Sequence, residues 1–172
     1  AYLFDSEQDE NIDLFGGGSY RDETQNRALF GELELLLGEE HRLRLGARYE
    51  HEQRRRVGRT GPLVVDYQET YREFLPKATL FWDFHYDWTG GLSIGKGYNG
   101  GGAGITFSPP FVSYSYDPEY VWNYEGFLRG SALDGKLEVT ANLFYNNFKD
   151  MQLPFNLAAN STVIRNADKA IT

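Results

Sequence analysis

Histidines are the side chains in this sequence best suited to acid–base or metal chemistry, because the chain has three of them and no cysteine. His41 and His85 each flank a predicted short turn, where interfacial residues at strand ends are commonplace. His51 stands between Glu50 and Glu52, but neighbours in a strand point to opposite faces, so the imidazole shares a side with neither carboxyl group. The spacing predicts no metal site and no catalytic residue.

Two further stretches carry residue types that bind ions or phosphate. The acidic run at residues 5–13 has many carboxyl oxygens, but it lacks the glycine and the terminal glutamate of a calcium-binding loop. The glycine-rich stretch at residues 97–115 lacks the lysine and hydroxyl residue of a phosphate-binding loop, and no helical pattern follows it. We interpret the acidic run as the solvated top of an interrupted first strand, whose second piece is residues 12–15, and the glycine-rich stretch as a surface loop.

The strongest periodic pattern predicts a long β-hairpin at residues 116–151. Apolar and aromatic residues occupy every second position from 120 to 128. A tight turn containing Asp134-Gly135 follows, and the alternation resumes from 137 to 145. Each arm has about ten residues in alternation, enough for a tilted strand to cross the hydrocarbon of a bilayer. The tyrosine and tryptophan at the start of the apolar face indicate a membrane interface.

A second predicted hairpin, at residues 28–53, has one leucine-rich face and one charged face. The pattern alone fits either a soluble sandwich with the apolar face inside or a membrane strand with that face outside. The length of the strands, and the alternation of short turns with long loops, favour the membrane strand. No run of about 18 apolar residues exists, so the sequence excludes transmembrane helices. The net charge of -8 argues against nucleic acid as a partner.

Several strand motifs resemble those of TonB-dependent outer-membrane receptors, over roughly residues 27–151. The resemblance identifies the family more specifically than it identifies a ligand. The motifs that carry it are Asp117-Pro118-Glu119-Tyr120, Asn123-Tyr124-Glu125, Phe144-Tyr145-Asn146-Asn147-Phe148-Lys149-Asp150-Met151, Phe74-Leu75-Pro76-Lys77-Ala78 and Gly95-Lys96-Gly97-Tyr98.

The resemblance implies an all-β fold, an antiparallel transmembrane β-barrel segment of about eight long strands with short periplasmic turns and long external loops. Residues 1–172 would form one partial barrel domain, with the plug domain and the C-terminal strands absent. Because both ends resemble cuts, we expect an open, curved sheet whose first and last strands are not paired with each other. The expected periplasmic turns are residues 38–40, 86–88 and 133–135, and the expected external loops are residues 54–66, 97–115 and 152–161.

The resemblance also implies a function as part of an active transporter that imports ferric siderophores across the bacterial outer membrane. The implied partners are outer-membrane lipid, an iron–siderophore or similar small chelate, and the TonB energy-transducing complex acting through the missing plug domain. It implies no cofactor and no enzymatic activity. Two alternatives stay open, namely a complete eight-stranded outer-membrane barrel with a structural or adhesive role, and a soluble β-protein or barrel hydrolase.

Two sets of residues are predicted to make the contacts of such a protein. Alternate apolar positions on the strands would contact lipid, and these are Leu33, Leu35, Leu43, Leu45, Leu80, Trp82, Leu128, Val139 and Leu143. Aromatic and basic residues in or near external loops would contact a ligand, since aromatic rings stack on a flat chelate and arginine pairs with anionic oxygens. The alternative is that the loop aromatics pack the loops against each other. The second set is Arg54, Arg55, Tyr98, Phe107, Phe111 and Tyr114.

Overall fold

A computed structural model of the chain describes residues 1–13, 16–158 and 161–172. The described residues form antiparallel strands, and no helix among them has the length and apolarity to span a membrane. The strands are β1 (Tyr2–Ile12), β2 (Gly18–Leu36), β3 (His41–Thr60), β4 (Leu63–His85), β5 (Trp88–Asn99), β6 (Gly102–Ile105), β7 (Ser113–Tyr116), β8 (Glu119–Ala132), β9 (Leu137–Ala158) and β10 (Ser161–Ile171). Eight of them form one sheet in the order β1-β2-β3-β4-β5-β8-β9-β10, and β6 and β7 form a separate hairpin.

Strand register gives the sheet two chemically different faces. Because side chains alternate along each strand, paired residues share a face and form rows across neighbouring strands. We call the side that carries the row Leu35, Leu43, Leu80, Leu92, Gly126 and Leu143 the apolar face. The next row along, on the other side, is Glu34, Arg44, Thr79, Ser93, Glu125 and Phe144, and we call that side the polar face.

The nine residues predicted to contact lipid all have apolar-face positions in this register. Six of the nine are exposed, with Leu33 at 56% and Leu143 at 79%, whereas Leu43, Leu128 and Val139 are half-buried. On β4 the apolar positions run from Phe74 to Phe84, about eleven residues, which is the length of a tilted strand that crosses a bilayer. Contact of this face with lipid stays a prediction.

The three expected short turns are confirmed at the same end of the sheet. Residues 37–40 join β2 to β3, residues 86–87 join β4 to β5, and residues 133–136 join β8 to β9. Gly38 and Gly135 have φ of 91° and 78°, in the region that favours glycine. Two of the three turns therefore contain a glycine in the positive-φ conformation that makes glycine a sequence signal for a tight turn.

Three expected external loops are largely strand in the structure. The prediction of a loop at residues 54–66 is wrong, because β3 continues to Thr60 and β4 begins at Leu63. The prediction of a loop at residues 152–161 is also wrong, because β9 continues to Ala158 and β10 begins at Ser161; residues 159–160 lie outside the described part. The third, residues 97–115, contains the end of β5 and the β6–β7 hairpin.

The acidic first strand is also longer than expected. β1 runs without interruption to Ile12, through all but the last residue of the acidic run, and of the expected second piece, residues 14–15 lie outside the described residues. Cross-strand ion pairs join Glu7 to Arg21 on β2 and Glu10 to Arg56 on β3. In these upper parts charged side chains occupy both faces, so the regular hydrophobic alternation disappears although the backbone pairing of the sheet continues.

The sheet is open, as expected. Among the described residues, β1 pairs with β2 and β10 pairs with β9, and these two strands form the two edges. A closed eight-stranded barrel would require β1 to pair with β10. The complete small barrel is therefore not favoured.

The buried core lies where β5 separates from β4. The two strands pair from Lys77 to the short turn, so the upper part of β4 has no β5 partner. Residues 100–118, which connect β5 to β8 and which we call the β5–β8 segment, pack there against the polar face. Tyr20, Val65 and Ile105 form the centre of this packing, with exposures of 2%, 4% and 5%. The core thus fixes one segment at the end of the sheet opposite the short turns.

Candidate ligand-facing site

Arg54 attaches the β5–β8 segment to the wall of the sheet. Its Nη1 donates to the carbonyl oxygens of Gly100 at 3.0 Å and Gly101 at 3.2 Å, and its Nε donates to Glu52 Oε1 at 2.5 Å. The Gly101 N–H donates to the Tyr71 hydroxyl at 3.1 Å. The Glu52 side chain is only 6% exposed, so its ion pair with the guanidinium offsets the cost of burying both charges.

A cluster of tyrosines and carboxylates continues from Arg54 across β4, β5 and β8. The Tyr98 hydroxyl donates to Glu52, and the Tyr98 ring lies 6.3 Å from the Tyr71 ring and 6.4 Å from the Tyr120 ring, centroid to centroid. The Tyr120 hydroxyl donates to Glu73 Oε1 at 2.9 Å. The Tyr98 and Tyr120 rings stack on each other and the hydroxyl of each is held by a carboxylate, so both side chains are fixed at the ring and at the oxygen.

Lys96 completes this cluster as the second partner of Glu73. Its Nζ lies 3.0 Å from Glu73 Oε2 and 4.9 Å from the centroid of the Tyr120 ring. The alternation had placed Tyr120 on the apolar side with Tyr124, whereas its hydroxyl binds a polar-face carboxylate. The Tyr120 side chain can reach the polar face because β5 is no longer paired with β4 beyond Gly95.

A second charged cluster surrounds Arg56. Its two terminal nitrogens lie 2.7 Å from Asp22 Oδ2 and 2.6 Å from Glu10 Oε2, and its guanidinium stacks 5.0 Å from the Tyr20 ring centroid. The two arginine clusters border a cleft of about 150 Å³ beside the β5–β8 segment. The cleft is lined by residues that include Asp22, Thr24, Arg54, Arg56, Tyr67 and Tyr116.

Two tyrosines beside this cleft, both beyond the apolar band, are held in the neutral form. Burial raises the pKa of Tyr67, and its hydrogen bond with Tyr71 raises it further. Burial also raises the pKa of Tyr116, against an opposing effect of Arg54. Both hydroxyls therefore stay protonated near neutral pH and act as hydrogen-bond groups, not as phenolates.

The structure brings two of the predicted ligand residues together and places a third elsewhere. Arg54 and Tyr98 meet through their shared partner Glu52. Arg55 is the next residue along β3, so it points to the opposite face, where its Nη1 lies 3.5 Å from Glu23 Oε2. Both arginines belong to β3 and Tyr98 belongs to β5, so none of the three lies in a loop.

The other three predicted ligand residues belong to the β5–β8 segment. Phe107 packs against the buried core, and its N–H donates to the Ser161 hydroxyl at 3.1 Å. The Tyr114 hydroxyl covers Gly104, at 2.9 Å from where a Cβ would stand. Phe111 is 45% exposed. The alternative role, packing of the loop, therefore describes Phe107, while Phe111 has the ring most accessible to a ligand.

Sequence reasoning missed the polar partners that hold this site together. A usable signal was present on β3, where Glu52 and Arg54 are two residues apart and must share a face. The missed residues are Glu10, Asp22, Glu52, Arg56, Tyr67, Tyr71, Glu73, Lys96, Tyr116 and Tyr120.

The described residues contain no group of three or more acidic, histidine or cysteine side chains that could hold a metal ion.

Comparison with known proteins decides the class to which this two-faced sheet belongs. Residues 2–172 match the family model described as TonB dependent receptor-like, beta-barrel. The chain belongs to this family. Its barrel lies in the bacterial outer membrane, and the family is one of receptors and transporters.

Two solved receptors share the fold of this barrel segment. The ferric yersiniabactin uptake receptor FyuA from Yersinia pestis superposes with a TM-score of 0.71 and 20% identity, over 90% of this chain and 24% of that chain. The alcaligin outer-membrane receptor FauA from Bordetella pertussis gives 0.61 and 18%, over 98% of this chain and 30% of that chain. The chain thus spans 24% and 30% of the length of these two receptors.

Exchanging Arg54 for glutamine is expected to loosen the β5–β8 segment. The shorter amide cannot reach both backbone carbonyls, so the amides of Gly101, Gly102 and Ala103 should exchange with deuterium faster. Arg55→Gln is the matched control, because Arg55 is adjacent in sequence but lies on the other face. Equal exchange in the Arg54→Gln variant and the unsubstituted receptor, measured by mass spectrometry, would show that Arg54 does not anchor the segment.

Proposed function

We propose that this chain is part of the barrel of an active outer-membrane transporter that imports a ferric siderophore or a similar small iron chelate. Residues 1–172 would form one partial barrel domain, completed in the parent receptor by further strands and a plug domain. The observation that carries this proposal is the β5–β8 segment, which Arg54 and Tyr71 hold against the polar face at the end opposite the short turns. In outer-membrane barrels that end is external, and the polar face lines the interior.

The chemistry of this region suits an anionic chelate. Phe111 offers an accessible ring, and the neighbouring tyrosines keep neutral hydroxyls that can donate to carboxylate or hydroxamate oxygens. The two solved relatives are named as receptors for ferric yersiniabactin and for alcaligin, which supports a chelate of that general class.

We further propose that the parent receptor is driven by the TonB complex through its plug domain, and that this chain has no enzymatic role. The two carboxylates of the site already have fixed partners, which supports a structural role for them. Glu52 holds Arg54 and Tyr98, and Glu73 holds Lys96 and Tyr120. A carboxylate whose oxygens already accept from two fixed donors stabilises the wall of the barrel.

Uptake of radioactive iron by cells that carry the parent receptor is expected to require the proton-motive force. Ferric chelates of the hydroxamate, catecholate and phenolate classes would be offered one at a time. For the cognate class, an uncoupler should abolish accumulation inside the cell but leave binding at the cell surface unchanged, because binding precedes the energised step. A cell without the receptor is the control. Accumulation that persists with the uncoupler, or binding of no ferric chelate, would contradict the proposal.

A further inference from the structure

A row of basic side chains crosses the apolar face at its upper boundary. Register pairs Arg27 on β2 with His51 on β3, and His51 with Arg72 on β4. Residues paired in this way have their Cβ atoms about 5 Å apart, so the three side chains form one patch. We call these three residues the basic row.

The basic row lies one step above the apolar band. The adjacent row toward the short turns is Leu29, Tyr49 and Phe74, which are 69%, 50% and 57% exposed. Two residues along a strand advance it by about 7 Å. With the short turns on the periplasmic side, the basic row stands at the level where the hydrocarbon of the outer leaflet gives way to lipid headgroups.

The two arginines of the row have no acidic partner in the described part of the chain. Arg27 and Arg72 are exposed, and within the described residues neither forms an ion pair or a side-chain hydrogen bond. Farther from the band on the same face, Arg21 and Arg55 both pair with Glu23, at 3.2 Å and 3.5 Å. The basic row therefore differs from Arg21 and Arg55 in having two guanidinium groups that no carboxylate of the described residues pairs with.

The row also borders a small recess of polar donors. A cleft of about 100 Å³ is lined by Gln25, Arg27, His51 and Gln53. His51 Nε2 is buried and has no hydrogen-bond partner within the described residues. A buried polar nitrogen is normally satisfied, so this one points to a missing partner. The nearest acidic side chain on this face, Asp5 on β1, lies opposite Gln25 and therefore diagonal to Arg27.

From this patch we infer a binding site for the phosphorylated headgroup of an outer-leaflet lipid. The guanidinium groups of Arg27 and Arg72 bind phosphate oxygens of the headgroup, and a further oxygen of the same headgroup lies in the recess beside His51. The acyl chains of the same lipid lie against Leu29, Tyr49 and Phe74 below. The chain as a whole carries a net charge of -8, so the attraction comes from this local row. The inference rests on the outer-membrane location and is independent of the cargo.

Native mass spectrometry of the delipidated parent receptor tests this site directly. The probes are bisphosphorylated lipid A and the same lipid with both phosphates removed. The receptor should bind the phosphorylated lipid more tightly by on the order of tenfold or more, as expected for charge-assisted hydrogen bonds. The double substitution Arg27→Gln with Arg72→Gln should abolish that preference. The matched control is Arg21→Gln with Arg55→Gln, on the same face, which should retain it.

Three results would overturn the inference. Equal affinity of the unsubstituted receptor for both lipids would show that phosphate is not recognised, and this measurement needs no variant to fold. If the control variant Arg21→Gln with Arg55→Gln also lost the preference for phosphorylated lipid, the preference would come from the general positive charge of the face and not from the basic row. Displacement of lipid A by inorganic phosphate in millimolar excess would assign the site to a free anion. Iron uptake is a separate measurement, so failure of the proposed transport function would leave these results interpretable.

Discussion

Replacing Leu45 with arginine is expected to destabilise the barrel in lipid by about 2–4 kcal/mol. Leu45 lies midway along the apolar positions of β3, which run from His41 to Tyr49, and its side chain is 40% exposed on the apolar face. An arginine there has the longest distance to either interface, so it reaches water only by distorting the lipid around it. The cost should therefore be close to the value for the middle of a bilayer.

Two matched variants distinguish the effect of depth in the bilayer from the effect of the face of the sheet. Val139→Arg also lies on the apolar face, but it is nearer the short turn before β9, so its cost should be below that of Leu45→Arg. Thr140→Arg is one residue along and lies on the polar face, so it should cost little beyond the repulsion from Arg129, which is directly opposite. Urea unfolding of the parent barrel in lipid vesicles gives the three free energies. Equal costs for Leu45→Arg and Thr140→Arg would mean that the two faces were assigned wrongly.

The membrane-crossing parts of the strands could be predicted from sequence because one face there is uniformly apolar. In the hairpin of β8 and β9, an apolar residue at every second position specifies both the strand and its register. The turn at Asp134-Gly135 then follows from the need for positive φ, which the structure shows at both residues. The open sheet could also be expected, because the resemblance was to a barrel larger than this chain.

The outer parts of the strands could not be predicted in the same way. Residues 54–60 of β3 contain three arginines in succession, which resemble a loop in composition. They form strand because Arg54, Arg55 and Arg56 alternate between faces and each finds a carboxylate there. Those partners lie on β3 itself, on β2 and on β1, and the distant ones are known only when the register is known.

The candidate site depended on the same missing information. Tyr98 was predicted from its type and its place before a glycine-rich stretch, but its partner Glu52 is 46 residues away in sequence. Simple alternation also puts Tyr98 on the same side as Ile94, on the apolar face. The contact with Glu52 arises because β5 separates from β4 above Gly95, and no local pattern in the sequence marks that separation.

Deleting residues 100–110 from the parent receptor is expected to abolish binding of its ligand without preventing insertion of the barrel. The deletion removes β6, the two carbonyl groups that Arg54 binds, and Ile105 from the buried core. The wall of the barrel should persist, because β5 and β8 pair directly from Trp88 to Asn99. Loops carry binding and strands carry the fold in such barrels.

Two controls give the deletion its meaning. Replacing the same residues with a glycine–serine linker of equal length keeps the connection relaxed, and binding should still be lost if the native side chains and their packing are required. Phe111→Ala, which keeps the whole segment, should weaken binding without changing insertion, because its ring is the most accessible of those predicted to meet the ligand. Insertion is measured by heat-modifiable migration of the outer-membrane fraction, and binding by titration of that fraction with the ferric chelate. Unchanged affinity in the deletion variant would remove the β5–β8 segment from the ligand site and leave the exposed ends of the other strands as the surface to test.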